Sequence, residues 1–590
     1  MTNPDRDSSD GWVEAPADEA GDAIIAAMAL GGVEYLFFTS GSEIMFYQEA
    51  VAKAKAHGRK APKLVTMTHE CASLNAALGY AAVTGMPAAT AAHVDVGTQH
   101  YGSAIHTAFH SGLPVLITAG APPAGYPGSM RGARDGGHFW LQQREDQNGI
   151  VRPYMKWDHR LEYQDNPGLI VSRALQVARS EPCGPVYLSL PREIALRSLE
   201  GARFPTVDRL GIPLPAAPNP DGIAELAARL AAARNPFVVV SRSGRKPATV
   251  PALVALCELL ALPVVDSTAR AYHCFPMNHP LFQAGASMAN ADLVLVLEAD
   301  VPWVPGRASA PPASAYVAVI DVDAIKVKVP TYEFPADMRM AADSLLSLQA
   351  LLDAAKKMMA AGDPRIDRRA IEERRELLTN ASQARMAKAK QDAMRVAENS
   401  PIDPLWLSYQ IGELLDDNCL VIDDTLSHNP MYHYLRCERP ASYFRNPASA
   451  GGWAPGAALG AKLGRPERDV VALTGDGFYM YASPNAAIWA AVHYGAPFMT
   501  VIYQNRGYST GTSATASYYP DGYAVKGGLE GGYFDPPVDF AREAEAAGAY
   551  GENVRDPGEV AAALRRGLEQ VRAGKPAVIS VWLARMIDGK

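Results

Sequence analysis

The sequence predicts an α/β protein built from three doubly wound parallel-sheet domains. Three observations lead there. Its 590 residues are too many for one hydrophobic core. Short apolar, β-rich runs alternate with helical patterns, the mark of parallel sheets covered by helices. Two stretches interrupt the alternation, a proline-rich one at 201–220 and a strongly charged one at 356–400. The units are therefore read at 19–200, 221–355 and 401–590, with 356–400 as a solvated connecting helix. Residues 1–18 are polar and acidic and read as a disordered lead-in.

In the first unit, residues 22–30 read as a helix and 35–38 as a strand ending in the turn Thr39-Ser40-Gly41-Ser42. A strand at 64–66 precedes an Ala-rich helix at 71–83. Residues 88–94 and 113–119 are strands, and 185–191 is a buried strand bracketed by prolines. Residues 120–137 hold three prolines and many glycines, which predicts a long loop of the kind that often carries function. His106 and His110, four apart on a predicted helix, share one face and read as surface or interface histidines. In the middle unit, the runs at 236–241, 263–266, 291–297 and 315–320 are strands. Its first turn, Ser241-Arg242-Ser243-Gly244, lacks a glycine-rich dinucleotide fingerprint. FAD or ADP in this unit is therefore unsupported by motif.

Composition narrows the function. Apolar residues make up 48% and charged residues 20%, as in ordinary globular proteins. The net charge of −8, without a basic block, argues against nucleic acid. No apolar run approaches the ~20 residues of a membrane span, and the N-terminus lacks a signal-peptide order. The six cysteines are dispersed, with no CxxC pair, which fits a reducing, cytoplasmic setting rather than a zinc site.

The third unit carries the most specific stretch, residues 470–508. An apolar strand ends in Thr474-Gly475-Asp476-Gly477, a helix follows from 484 to 493, and a second strand ends in Gln504-Asn505. A strand–helix–strand order makes the two strands parallel and puts Asp476 and Asn505 past the same sheet edge, where open α/β sheets bind ligands. A carboxylate, an amide oxygen and a backbone carbonyl at Gly507 are hard ligands suited to Mg²⁺ that also holds phosphate. Gly475 and Gly477 let backbone N–H groups approach a diphosphate. Read alone, Asp476 could equally be a helix N-cap. Glu70, in Thr68-His69-Glu70-Cys71-Ala72, stands at a strand end before an apolar helix. There it is either a desolvated acid/base or a glutamate favoured by the helix dipole.

With Asn505 following Asp476 by 29 positions, this stretch resembles the diphosphate motif of the thiamine-diphosphate-dependent decarboxylase and carboligase superfamily. The similar first and third units around a different middle one resemble its layout, with pyrimidine-binding, middle and diphosphate-binding domains. The resemblance covers nearly the whole chain. It implies metal ligation by Asp476, Asn505 and Gly507, and a catalytic Glu70 that also bonds the cofactor's aminopyrimidine. His69-Glu70-Cys71-Ala72-Ser73 resembles the family's glutamate motif. Ser42, Glu70, His93 and Gly97-Thr98 together resemble benzoylformate decarboxylase. That implies a Ser42 hydroxyl on a substrate carboxylate and a His93 that exchanges protons; the second histidine of that family is unmatched at Asp300-Val301-Pro302-Trp303.

Three positions depart from the superfamily pattern. Gln504 stands where Asn is usual. Gly451, in Gly451-Gly452-Trp453, stands where an apolar residue wedges the cofactor, a role Trp453 could assume. Phe478 replaces a hydroxyl residue, which Thr425 could supply. Tyr508 opens a glycine-rich segment read as a mobile lid. Thr425, Gly451, Trp453, Gly475, Gly477, Phe478 and Tyr508 thus complete the expected cofactor-binding set. The implied activity is C–C bond cleavage or formation on a 2-oxo acid or acyl substrate, in a homodimer at minimum and a homotetramer by expectation. Two alternatives stand beside it: a 2-hydroxyacyl-CoA lyase or oxalyl-CoA decarboxylase, with Arg242 and Arg245 as nucleotide contacts, and an inactive scaffold. Retention of Glu70 and Asp476 speaks against the last.

Overall fold

A computed structural model describes residues 11–267, 271–425, 433–448 and 450–585. Residues 1–10 of the expected lead-in lie outside them. The later part of that segment is not a loose tail. Trp12–Ala15 pairs antiparallel with Ala202–Pro205, inside the stretch read as a linker. The reason is apolar: Val13 and Phe204 are both buried in the first unit's core.

Each unit is a parallel α/β sheet, as expected. The first has six strands in the spatial order Lys63–Thr66, Tyr35–Phe38, Ala88–Ala92, Val115–Ala121, Val186–Pro191, Trp157–Arg160. The third has six in the order Tyr443–Arg445, Cys419–Asp424, Asp469–Gly475, Met499–Gln504, Ala577–Trp582, Tyr550–Val554. Numbered along each unit, both sheets run 2-1-3-4-6-5. The middle unit has five parallel strands, Val264–Asp266 at one edge and Met338–Ala341 at the other. The first and third units therefore repeat one topology around a different one.

That order fixes where a site can form. In both six-stranded sheets the winding reverses between strands 1 and 3, which opens a crevice past their C-terminal ends. In the first unit, residues 39–43 and His93 follow those ends. In the third, Thr425 and Asp476 do.

The two units meet chiefly through one helix pair. Helix α1 (Glu70–Thr84) packs along α2 (Ala454–Gly464). Gly456, Gly460 and Gly464 line one face of α2 at four-residue spacing. A Cβ on Gly460 would lie 1.8 Å from the Ala76 carbonyl oxygen, and one on Gly79 would lie 2.1 Å from that of Ala457. The two backbones are in contact, so the N-terminus of α1, where Glu70 sits, is held rigidly against the third unit. Arg368–Arg395 is a single long helix with few buried side chains, consistent with its charge. No helix among the described residues is long and apolar enough to cross a membrane.

Candidate active site

The strand Asp469–Gly475 delivers Asp476 into a cavity of about 290 Å³. Its walls are Thr425, Gly475 to Phe478, Tyr481, Tyr503, Asn505, and Gly507 to Gly511. Asp476 is buried. Its carboxylate accepts the Gly477 N–H at 2.8 Å and the Arg506 N–H at 2.5 Å. Burial pushes its pKa up to about 6, against the pull of these N–H groups. The Asn505 side-chain oxygen accepts the Gly507 N–H at 3.1 Å. Arg506, between them, has φ +62°, a strained conformation for a residue with a side chain. Gly507 has no room for a Cβ, which would sit 2.5 Å from the Gly532 carbonyl oxygen. Asp476, Asn505 and Gly507 thus line one cavity.

The departures from the resemblance now have positions. Gln504 faces away from the cavity: it donates to the Val538 carbonyl at 2.8 Å and accepts from Ser580 at 2.7 Å. Gly451 and Phe478 are neighbours. A Cβ on Gly451 would meet the Phe478 ring at 2.2 Å, so the ring stands where a Gly451 side chain would be. Trp453 does not line the cavity. It is buried in the core, and its N–H caps onto Asp424 at 2.8 Å. Thr425 does line the cavity, and its hydroxyl donates to Asp423 at 2.6 Å. The segment after Tyr508 is not simply a loop. Ser509–Tyr518 is a helix, and its N-terminal end borders the cavity. Tyr508 stacks on Tyr481, with ring centroids 6.1 Å apart, and meets Phe534 edge-on.

The first unit gathers a second group. Glu70 is 6% exposed, and its carboxylate lies 3.4 Å from His100 Nδ1. A Cβ on Gly97 would lie 3.0 Å from Glu70 Oε1, so Gly97 makes room for the acid. Thr98 is bonded to the Val94 carbonyl and the Tyr187 hydroxyl. Ser42 and His93 also come together, through a residue that sequence reasoning missed. Glu43, fully buried, places Oε2 2.6 Å from His93 Nδ1 and accepts the Ser42 hydroxyl at 3.1 Å. The Ser42 proton is therefore directed at Glu43 rather than outward. Nearby, the buried Asp95 pairs with Arg144 at 3.0 Å. Glu43 had one sequence signal, an acid at the end of strand 1 beside the switch point; Asp95 and Arg144 had none.

At the seam with the middle unit, Arg242 pairs with Asp300 at 3.0 Å, and Arg245 pairs with Glu181 and Glu298. The space they border is about 130 Å³, less than half the roughly 290 Å³ of the Asp476 cavity. As nucleotide contacts they are already committed to carboxylates. His106 and His110 do share a face, with ring centroids 4.7 Å apart. Burial and the neighbouring His106 lower the His110 pKa to about 4.

Comparison with known proteins agrees along the chain. Residues 18–150 match the N-terminal TPP binding domain of thiamine pyrophosphate enzymes, residues 223–351 the central domain, and residues 426–581 the C-terminal TPP binding domain. A benzoylformate decarboxylase of Pseudomonas aeruginosa is 26% identical over 87% of this chain and 90% of its own length. An acetolactate synthase large subunit of Mycobacterium tuberculosis is 26% identical over 96% of each. The solved benzoylformate decarboxylase of Polynucleobacter necessarius superposes with a TM-score of 0.77 at 21% identity, covering 96% of this chain and 99% of that one.

Proposed function

This chain belongs to the thiamine-diphosphate-dependent decarboxylase and carboligase superfamily, and from that premise we propose which of its residues make it a lyase or transferase of 2-oxo acids. The observation that carries the reading is the buried Asp476–Asn505–Gly507 corner. The Asp476 carboxylate stands at the cavity wall on backbone N–H groups, and burial opposes its charge. A Mg²⁺ ion there would supply the counter-charge and bind the diphosphate, with Asp476, Asn505 and the Gly507 carbonyl as hard-oxygen ligands. The N-terminal end of the helix Ser509–Tyr518 borders the same cavity, where the helix dipole favours an anion such as phosphate.

Bound thiamine diphosphate would supply the nucleophilic carbon and the electron sink that the reaction requires. The chain supplies orientation and proton traffic. Glu70, buried at the start of α1, would be the group that shares a proton with a ring nitrogen of the heterocycle. His93 exchanges protons with the reacting substrate at Nε2, and Ser42 stands beside it. The cavity is walled by third-unit residues, whereas Glu70, His93 and Ser42 belong to the first. We read the site as completed between two subunits, so that a homodimer is the smallest active unit and a homotetramer a pair of them. Exposed aromatic side chains flank both halves: Trp140 and Tyr126 beside the His93 loop, and Tyr518, Tyr519 and Tyr523 beyond the cavity.

The test is a panel of aliphatic and aromatic 2-oxo acids, with CoA thioesters alongside, assayed with thiamine diphosphate and Mg²⁺. Glu70→Gln should cut turnover by 10² to 10⁴, about the contribution of a positioned proton-transfer group, while calorimetry still shows cofactor binding. Unchanged turnover would sink the assignment of Glu70.

A further inference from the structure

We propose that Glu43 is the positioning residue for His93: it fixes the imidazole with Nδ1–H directed inward and Nε2 presented to the reacting groups. The inference rests on the proposed role of His93 and adds to it the group that sets its tautomer. Four observations on the chain converge.

The first is contact. Glu43 Oε2 lies 2.6 Å from His93 Nδ1. A carboxylate only accepts, so this approach favours a proton on Nδ1 and leaves the lone pair of the neutral ring on Nε2. Nε2 lies 3.3 Å from the Gln142 amide nitrogen, which donates to it in that tautomer. The second is burial. Glu43 is 0% exposed and its Oε1 has no hydrogen-bond partner, so its side-chain partners are His93 and Ser42. Burial alone would raise the Glu43 pKa, yet His93, Ser42 and the backbone together bring it below the ordinary value.

The third is room made for the pair. A Cβ on Gly41 would fall 2.5 Å from His93 Nδ1, and one on Gly120 would fall 2.8 Å from Glu43 Cβ. The fourth is strain. Val94, β-branched and directly after His93, has φ +28°. Such strain persists where the surroundings over-determine the backbone, and here it aims the preceding imidazole. The other charges nearby are engaged elsewhere: Asp95 with Arg144 and Glu70 with His100.

Ring-nitrogen NMR on protein labelled at histidine tests this, with the His93 signals identified by their loss in His93→Gln. The parent should show Nδ1 protonated and Nε2 bare in the neutral ring. Glu43→Gln, which keeps an acceptor of the same shape, should retain that pattern. Glu43→Leu should revert to the Nε2–H form. In turnover, Glu43→Leu should lower kcat at least tenfold with KM little changed. The double variant Glu43→Leu/His93→Gln should be no slower than His93→Gln alone, because the acid acts through the ring. A Glu43→Leu protein that keeps the parental nitrogen pattern, or effects that multiply in the double variant, would overturn the inference. If the parent were inactive on every 2-oxo acid, the proposed function would fall, and the nitrogen pattern would still decide whether Glu43 orders His93.

Discussion

Asp476 and Glu43 show how differently two buried carboxylates are held. Glu43 has a histidine and a hydroxyl; Asp476 has backbone N–H groups and an open cavity. Asp476→Asn keeps the shape and removes the charge. It should weaken Mg²⁺-dependent binding of thiamine diphosphate by a hundredfold or more in calorimetry, beyond the 10- to 100-fold of residues that merely support a metal ligand. Equal affinity would remove Asp476 from the metal site. Gly451 and Phe478 make a second residue-scale case. As a sequence they are two unrelated departures; in space they are one exchange of volume. Gly451→Ala should destabilise, and Phe478→Ser should relieve it, a coupling of about 1–2 kcal/mol in a double-mutant cycle of thermal unfolding. Asp476 and Asn505 could be read because chemistry and spacing coincide in one stretch, and Glu70 because it stands at a strand end before an apolar helix. Glu43 could not, because its meaning lies in a contact with His93, 50 positions away.

At the scale of elements, the strands were read well where apolar runs were continuous and missed where strands were short or half-exposed, as at Trp157–Arg160, Tyr443–Arg445 and Tyr550–Val554. Sheet pairing, rather than propensity, makes those into strands. The α1–α2 contact is the element on which the site's rigidity depends. Gly460→Ala would drive a methyl group into the Ala76 carbonyl, and backbone cannot give way as a side chain can. A loss of about 3 kcal/mol is expected in denaturant unfolding. The start of α2 adds a pH dependence. Asp424 accepts the N–H groups of Gly452, Trp453 and Ala454, yet complete burial pushes its pKa up to about 6, from the ordinary 3.8. The folded chain therefore holds this proton more tightly than the unfolded one, and stability from this group falls as pH rises from about 4 to about 6. Asp424→Asn cannot titrate. Its Tm should gain on the parent's between pH 4 and pH 7, by the equivalent of about 2 kcal/mol. A constant difference across that range would refute the assignment.

For the whole molecule, the repeated 2-1-3-4-6-5 winding explains why one chain carries two half-sites. Each repeat offers one switch-point crevice: Ser42, Glu43 and His93 at the first, Thr425 and Asp476 at the third. The alternation of strands and helices made the units legible, but strand order depends on long-range pairing that no local pattern encodes. The α1–α2 helix pair holds the two units of one chain together, and the cavity is walled by the third unit alone. If its missing wall is the first unit of a second copy, then two inactive variants should repair each other. Glu70→Gln and Asp476→Asn proteins, each inactive, are mixed and allowed to exchange subunits. In a mixed dimer, the intact Glu70 of one chain faces the intact Asp476 of the other, and the second site carries both substitutions. Random exchange makes half the dimers mixed, each with one working site of two, so activity should return to about a quarter of the parent's. A site completed within one chain predicts no recovery at all, since every chain would then bear a defect in its own site. The mixing experiment thus separates the two architectures by presence or absence of turnover, independent of which 2-oxo acid is used.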